Sequence, residues 1–184
     1  MITSLVLGMG LPTSAAYMIL AVLVAPAIVT MGASQLSAHL FILYFGALST
    51  ITPPVALSTF AAAGIAKAGI WETGRDAMIL AATGFIIPFV FVYNDELLML
   101  GSAGAILWAF VTAAVGCGVL SVALMGWGGV RMHIISRILL FPCAIMLFQA
   151  KPLWMNLAGF AVAAVIIGLE LMLAKRGGLS TKGA

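Results

Sequence analysis

Charge is what this sequence lacks. From Met1 to Ala66 there is no Asp, Glu, Lys or Arg, and over all 184 residues the charged share is 7%. A soluble domain carries about 25%. With 64% hydrophobic residues and a mean hydropathy of +1.25, the solvent for most of the chain is lipid. So few charges make the net +3 no footprint of a nucleic-acid partner. Cysteine is also scarce: Cys117 and Cys143 lie in apolar segments and read as small buried hydrophobes, not as a disulfide or metal site. His39 and His133 are far apart and lack ligand spacing. Apart from Glu170 the apolar spans hold no Asp, Glu or Lys, so no nucleophile–base pair or metal cluster stands at membrane depth, and no enzyme is expected. The N-terminus has neither a basic flank nor an A-x-A cleavage pattern. Met1 opens straight into an apolar segment, from which a fragment or split part of something longer is expected.

The apolar runs that are present divide the chain. Residues 1–9 are too short to span a bilayer, which takes about 20 residues. Residues 14–31 read as a helix kinked at Pro26, and "GASQLS" (32–37) as a polar turn. Residues 38–51 and 55–66 together are long enough to cross but are interrupted by "TPP". A charged loop (67–76), a span (77–93), an acidic turn (94–96), a Gly/Ala-rich span (102–125) and a basic loop (126–137) follow. Two further spans (138–150 and 153–174) and a basic tail complete the chain. With the tail cytoplasmic, this arrangement puts Lys67, Arg75, Arg131, Arg137, Lys175, Arg176 and Lys182 on one side, and only Lys151, with Asp95 and Glu96, on the other. Segment 14–31 would then climb from mid-membrane to the outer face, as one arm of a re-entrant hairpin whose tip is "GMGLPTS".

Two interrupted elements therefore follow one another: the hairpin tip, Gly8–Ser14, and the break Ser49–Pro54. Pro removes a backbone donor and clashes with the preceding turn. Unwound backbone is costly in lipid unless its N–H and C=O groups find partners. Free carbonyls with Ser/Thr hydroxyls form a hard oxygen cage suited to Na⁺, and helix N-termini after Pro12 and Pro54 favour an anionic group. The competing reading is packing: prolines often only kink membrane helices, and Ser/Thr often bond back to a carbonyl one turn earlier. The same plain reading is preferred elsewhere. Pro26, Pro88 and Pro142 are kinks; Gly104, Gly116 and Gly118 form a helix-packing face. Trp71, Trp108, Trp127 and Trp154 are interfacial anchors, and segment 67–76 could lie along the membrane surface. Glu170 is expected to pair with Lys175 or Arg176 near the membrane edge, and His39 to be interfacial.

Three stretches, "GMGLPTSAAYMILAVLVAPAI", "AHLFILYFGALSTITPPVALSTFAAAGIA" and "FIIPFVFVYNDELL", occur in an order that resembles the C-terminal half of the large membrane subunit of tripartite ATP-independent periplasmic (TRAP) transporters, in particular the fused permease found with TAXI-type binding proteins. The resemblance covers roughly residues 5–100. It implies an all-α membrane protein of the elevator type, built on two inverted repeats. Residues 1–66 would be the hairpin and broken helix of the second repeat, 67–100 a connector and span, 101–174 the terminal spans and 175–184 a cytoplasmic tail. It further implies a Na⁺-coupled permease in the bacterial inner membrane, importing small organic anions (carboxylates) handed over by a periplasmic binding protein. The resemblance implies Gly8, Gly10, Pro12, Thr13, Thr52, Pro53 and Pro54 as ion or substrate neighbours; Ser14, Ser49 and Thr50 join the candidate set as hydroxyls of the two breaks, and Gly8, Thr13 and Thr52 are the Na⁺ candidates. The implied partners are the missing first repeat, the binding protein, the organic acid and the bilayer, with no nucleic acid and no cofactor beyond the coupling ion. The rival expectation is a non-transporting assembly subunit that only packs against a larger membrane partner.

Overall fold

The computed structural model describes residues 1–149 and 153–180, with side chains as far as Ala174; Lys151 and Lys182 lie outside the described residues. The architecture is all-helical, and the chain divides into two compact units, Met1–Gly101 and Ser102–Ala184.

In the first unit, α1 (Ile2–Gly8) is seven residues long, about 10 Å at 1.5 Å per residue, far short of a bilayer. A turn carrying Gly10 at φ +77° and Pro12 at φ −57° leads into α2 (Thr13–Leu23). The expected 14–31 helix is two pieces, α2 and α3 (Ala25–Thr30), parted at Val24. Pro26 falls in the first turn of α3, where a missing N–H costs nothing. The next helix, α4 (Gln35–Leu48), begins inside the expected polar turn, because Ser34 caps it by accepting a hydrogen bond from the Ser37 N–H.

The core of this unit lies on α4, which packs against α1, α2 and α3 and against a later helix, α7 (Ile87–Tyr93). Leu20, Ala25, Phe41, Ile42 and Phe45 form its buried cluster. In lipid, burial itself drives little association between helices, so geometry carries more of the energy. Phe41 and Phe45 meet Phe89 with ring centroids 5.2 and 5.7 Å apart, and Phe45 meets Phe85 at 6.3 Å. Such pairs contribute about 0.5–1.5 kcal/mol each beyond area.

Beyond the break lie α5 (Leu57–Ala66), α6 (Ile70–Ala81), a 3₁₀ turn over Ala82–Phe85 and α7 (Ile87–Tyr93). The 67–76 stretch is thus not a loop throughout: helix starts at Ile70. Glu72 in its first turn suits the positive helix end, and the Thr73 hydroxyl donates back to the Gly69 carbonyl at 2.9 Å. Ile70–Tyr93, 24 residues, is long and apolar enough to cross a membrane. The acidic turn is a 3₁₀ segment, Asp95–Leu98.

The second unit consists of α8 (Ala103–Met125), α9 (Ile134–Phe148) and α10 (Leu153–Ser180), with α9 packed on both neighbours. Two more segments can cross a membrane, Ala103–Met125 and Leu153–Ala174. Close helix approach is carried by Gly116 and Gly159. A Cβ on Gly116 would lie 3.3 Å from Leu147 Cβ, and one on Gly159 would lie 3.3 Å from the Cys143 carbonyl. Gly104 and Gly118, expected on the packing face, have nothing within 4 Å of a built Cβ. Pro142 lies inside α9. Gly126, at φ +70°, ends α8 in the left-handed conformation that favours glycine.

Two charges of this unit serve helix ends. Arg137 donates from Nε to the Ala123 carbonyl (2.8 Å) and from Nη2 to that of Leu124 (2.6 Å), closing the end of α8. Glu170 accepts from the Ser136 hydroxyl and from the His133 N–H (3.2 Å), so its carboxylate caps α9. The expected partners Lys175 and Arg176 have side chains outside the described ones.

Candidate functional site

The span 38–66 is broken, not bent. Helix α4 stops at Leu48, α5 starts at Leu57, and Ser49–Ala56 between them is turn and bend. Pro53 and Pro54, joined by a cis peptide, cannot supply N–H groups to continue α4. Ala56, 7% exposed, takes φ +40° just before α5, a left-handed conformation that costs an L-residue about 1–2 kcal/mol. The surrounding structure holds it there, at the N-cap of α5.

The four carbonyls at the end of α4 are all satisfied from within the break. The Ser49 N–H donates to Phe45 O (3.0 Å) and its hydroxyl to Gly46 O (2.6 Å). The Thr50 hydroxyl donates to Ala47 O (2.8 Å) and that of Thr52 to Leu48 O (2.7 Å). These hydroxyl protons are spent on backbone, as the packing reading anticipates. A hydroxyl that donates once still keeps oxygen lone pairs, so each remains an acceptor. Further on, the Ser58 N–H returns to Thr50 O at 2.9 Å and the Ala56 N–H to Thr52 O at 3.2 Å. Among the described residues no hydrogen bond is accepted by the carbonyls of Pro53, Pro54 or Val55. The break therefore presents carbonyl oxygens and hydroxyl lone pairs, and no charged side chain.

The hairpin tip meets this break at two points. A Cβ on Gly8 would lie 2.6 Å from Ser49 Oγ and 3.0 Å from its Cβ, and one on Gly10 would lie 3.6 Å from Val55 Cγ1. Only a residue without a side chain fits at Gly8, which is buried, as is Ser49. Pro12 stands as N-cap of α2 and Ala56 as N-cap of α5, and neither helix start has a side-chain cap. Their first-turn N–H groups form positive helix ends without a protein acceptor from a capping side chain. Thr13, half-buried, and Ser14, exposed, stand in the first turn of α2; Thr52 is half-buried, and Pro53 and Pro54 are exposed.

The structure thus brings Gly8 against Ser49 and Gly10 against Val55, with Thr50, Thr52, Pro53 and Pro54 on the same break; among the described residues no hydrogen bond joins Thr13 or Ser14 to that break. Sequence reasoning missed Val55, Ala56 and Thr59, the last 2% exposed with its hydroxyl 3.5 Å from Ile51 O. It also missed Ser4, fully buried with a hydroxyl that has no hydrogen-bond partner among the described residues. Ser4 lies one helical turn before Gly8, so i, i+4 periodicity was the signal that could have found it.

Neither the curated proteins nor the solved structures yield a match. The family model "Tripartite ATP-independent periplasmic transporter, DctM component" matches residues 1–106, which include the hairpin, the break and the span that follows. That is more than half of the chain, and the chain belongs to the DctM family, the large permease component of TRAP transporters.

Proposed function

We propose that this chain supplies a TRAP permease with one hairpin–break pair, at which Na⁺ and a small organic anion are held during import. The observation that carries the reading is the seating of Gly8 and Gly10 on the Ser49–Ala56 break. It joins unspent carbonyls and hydroxyl lone pairs, which suit a hard cation, to helix starts that suit a carboxylate. Gly8, Thr13 and Thr52, with the carbonyls of Pro53 to Val55, are the residues that would hold the ion. A bound Na⁺ would offset the charge of the organic acid and couple its entry to the ion gradient. One elementary charge crossing 100 mV contributes about 2.3 kcal/mol.

In this reading the permease is a multi-pass protein of the bacterial inner membrane with its C-terminus cytoplasmic. It works with a first repeat, bearing a second hairpin and break, and with a periplasmic binding protein that delivers the substrate. The elements move as an elevator against a scaffold, and no covalent chemistry takes place. The back-bonded hydroxyls favour one alternative, an assembly subunit whose breaks serve packing only.

The test is uptake of radiolabelled small carboxylates into proteoliposomes holding the chain joined to its first repeat, with the binding protein added. Accumulation that requires an inward Na⁺ gradient supports the proposal. Uptake indifferent to Na⁺, or none from any carboxylate tried, favours the assembly subunit.

A further inference from the structure

Residues 102–184 hold six of the chain's eight Lys and Arg but only one of its five acidic residues, Glu170. Two of these charges are already engaged: Arg137 on the carbonyls ending α8, Glu170 on the start of α9. Arg131 is left exposed, with no hydrogen bond or ion pair among the described residues. It does not trail on a loose loop. The α8–α9 turn is closed by a bridge between Trp127 and Arg131, made by Gly128 N–H to Val130 O (3.1 Å) and Met132 N–H to Gly126 O (3.0 Å). Gly126 and Gly129 supply the positive φ angles that so tight a turn needs.

Apolar surface flanks this held cation. Trp127 is 64% exposed, and Ile134, Ile135 and Ile138 on the first turns of α9 are similarly open. Helix α10 reaches the same end of the unit. Glu170 bonds the His133 N–H, and a Cβ on Gly129 would lie 3.5 Å from Leu171 Cδ2. Lys175 and Arg176 follow in α10 about one turn past Leu171. Positive charge over an exposed aliphatic face, with an indole beside it, matches an amphiphile whose head is anionic.

We infer that this end of the second unit binds the phosphate group of an anionic phospholipid. Arg131 is the fixed contact, Trp127 lies at headgroup level, and the acyl chains run along Ile134, Ile135 and Ile138. A soluble anion satisfies the charge alone and leaves the isoleucine face without a role.

The test reconstitutes the whole chain into phosphatidylcholine vesicles containing either brominated phosphatidylglycerol or brominated phosphatidylcholine. Quenching of Trp127 is isolated as the difference from Trp127→Phe. The expected result is stronger quenching by the brominated phosphatidylglycerol, reduced about fivefold in apparent affinity by Arg131→Gln. Arg131→Lys retains most of the preference, and Arg131→Gln with Lys175→Gln and Arg176→Gln abolishes it. Excess inorganic phosphate leaves the preference intact if a lipid is the ligand. Equal quenching by the two lipids, a preference indifferent to the triple substitution, or its loss to inorganic phosphate overturns the inference.

Discussion

A methyl group on Gly8 would stand 2.6 Å from the hydroxyl of Ser49. These residues are far apart in sequence, yet the hairpin tip reaches the break in α4 only because one of them has no side chain. Gly8→Ala should therefore lift the tip off the break. Overpacking of this kind costs about 1–3 kcal/mol. Ser49→Gly removes both the Oγ and the Cβ that the new methyl meets. Thermal unfolding of the two single variants and the double variant should show a favourable coupling, the double being more stable than the sum of the singles predicts.

Two other glycines should respond in opposite directions. Gly10 holds φ +77° in the tip, so Gly10→Ala should cost about 1–2 kcal/mol. Gly64 lies within α5 with nothing within 4 Å of a built Cβ, so Gly64→Ala should stabilise by about 0.5–1 kcal/mol. Melting temperatures in detergent measure both.

Glu170 separates a local ion pair from a distant cap. If its carboxylate serves mainly the start of α9, Glu170→Ala lowers the melting temperature, as loss of an N-cap does. Glu170→Gln, which keeps an acceptor oxygen, costs less. Substituting Lys175 and Arg176 by Ala leaves the melting temperature nearly unchanged. A large loss from the Lys175/Arg176 variant would show that the local pair holds Glu170 instead.

The packing of α4 gives a fourth expectation. Phe45 is fully buried and touches Phe41, Phe85 and Phe89. Phe45→Ala should lower stability by about 3 kcal/mol, whereas exposed Phe60→Ala should be nearly neutral; thermal unfolding distinguishes them.

The breaks were legible because Gly and Pro act locally. "GMGLP" and "TPP" end helices through φ freedom and missing donors, and α1 and α4 end at Gly8 and Leu48. The break runs past Pro54 to Ala56 because an alanine there is held in a left-handed conformation, which no local rule announces. What sequence could not reveal is long-range. The pairing of Gly8 with Ser49, the capping of α9 by Glu170 from 37 residues away, and the choice of Gly116 and Gly159 over Gly104 and Gly118 for close packing all depend on how helices meet. The start of α6 at Ile70 was hidden by charges that suggested a loop, although Glu72 suits a helix start. The spending of three hydroxyl protons on α4 is a matter of rotamers, and the Ser/Thr content alone fitted both readings.

The most direct measurement is the thermal stability of the chain, joined to the proposed first repeat, as Na⁺ replaces K⁺ at constant ionic strength. A melting temperature that rises with Na⁺, and a rise diminished by Thr52→Ala and by Thr13→Ala, is the predicted result. A melting curve that ignores the exchange of cations contradicts the claim that the Gly8–Ser14 tip and the Ser49–Ala56 break hold an ion.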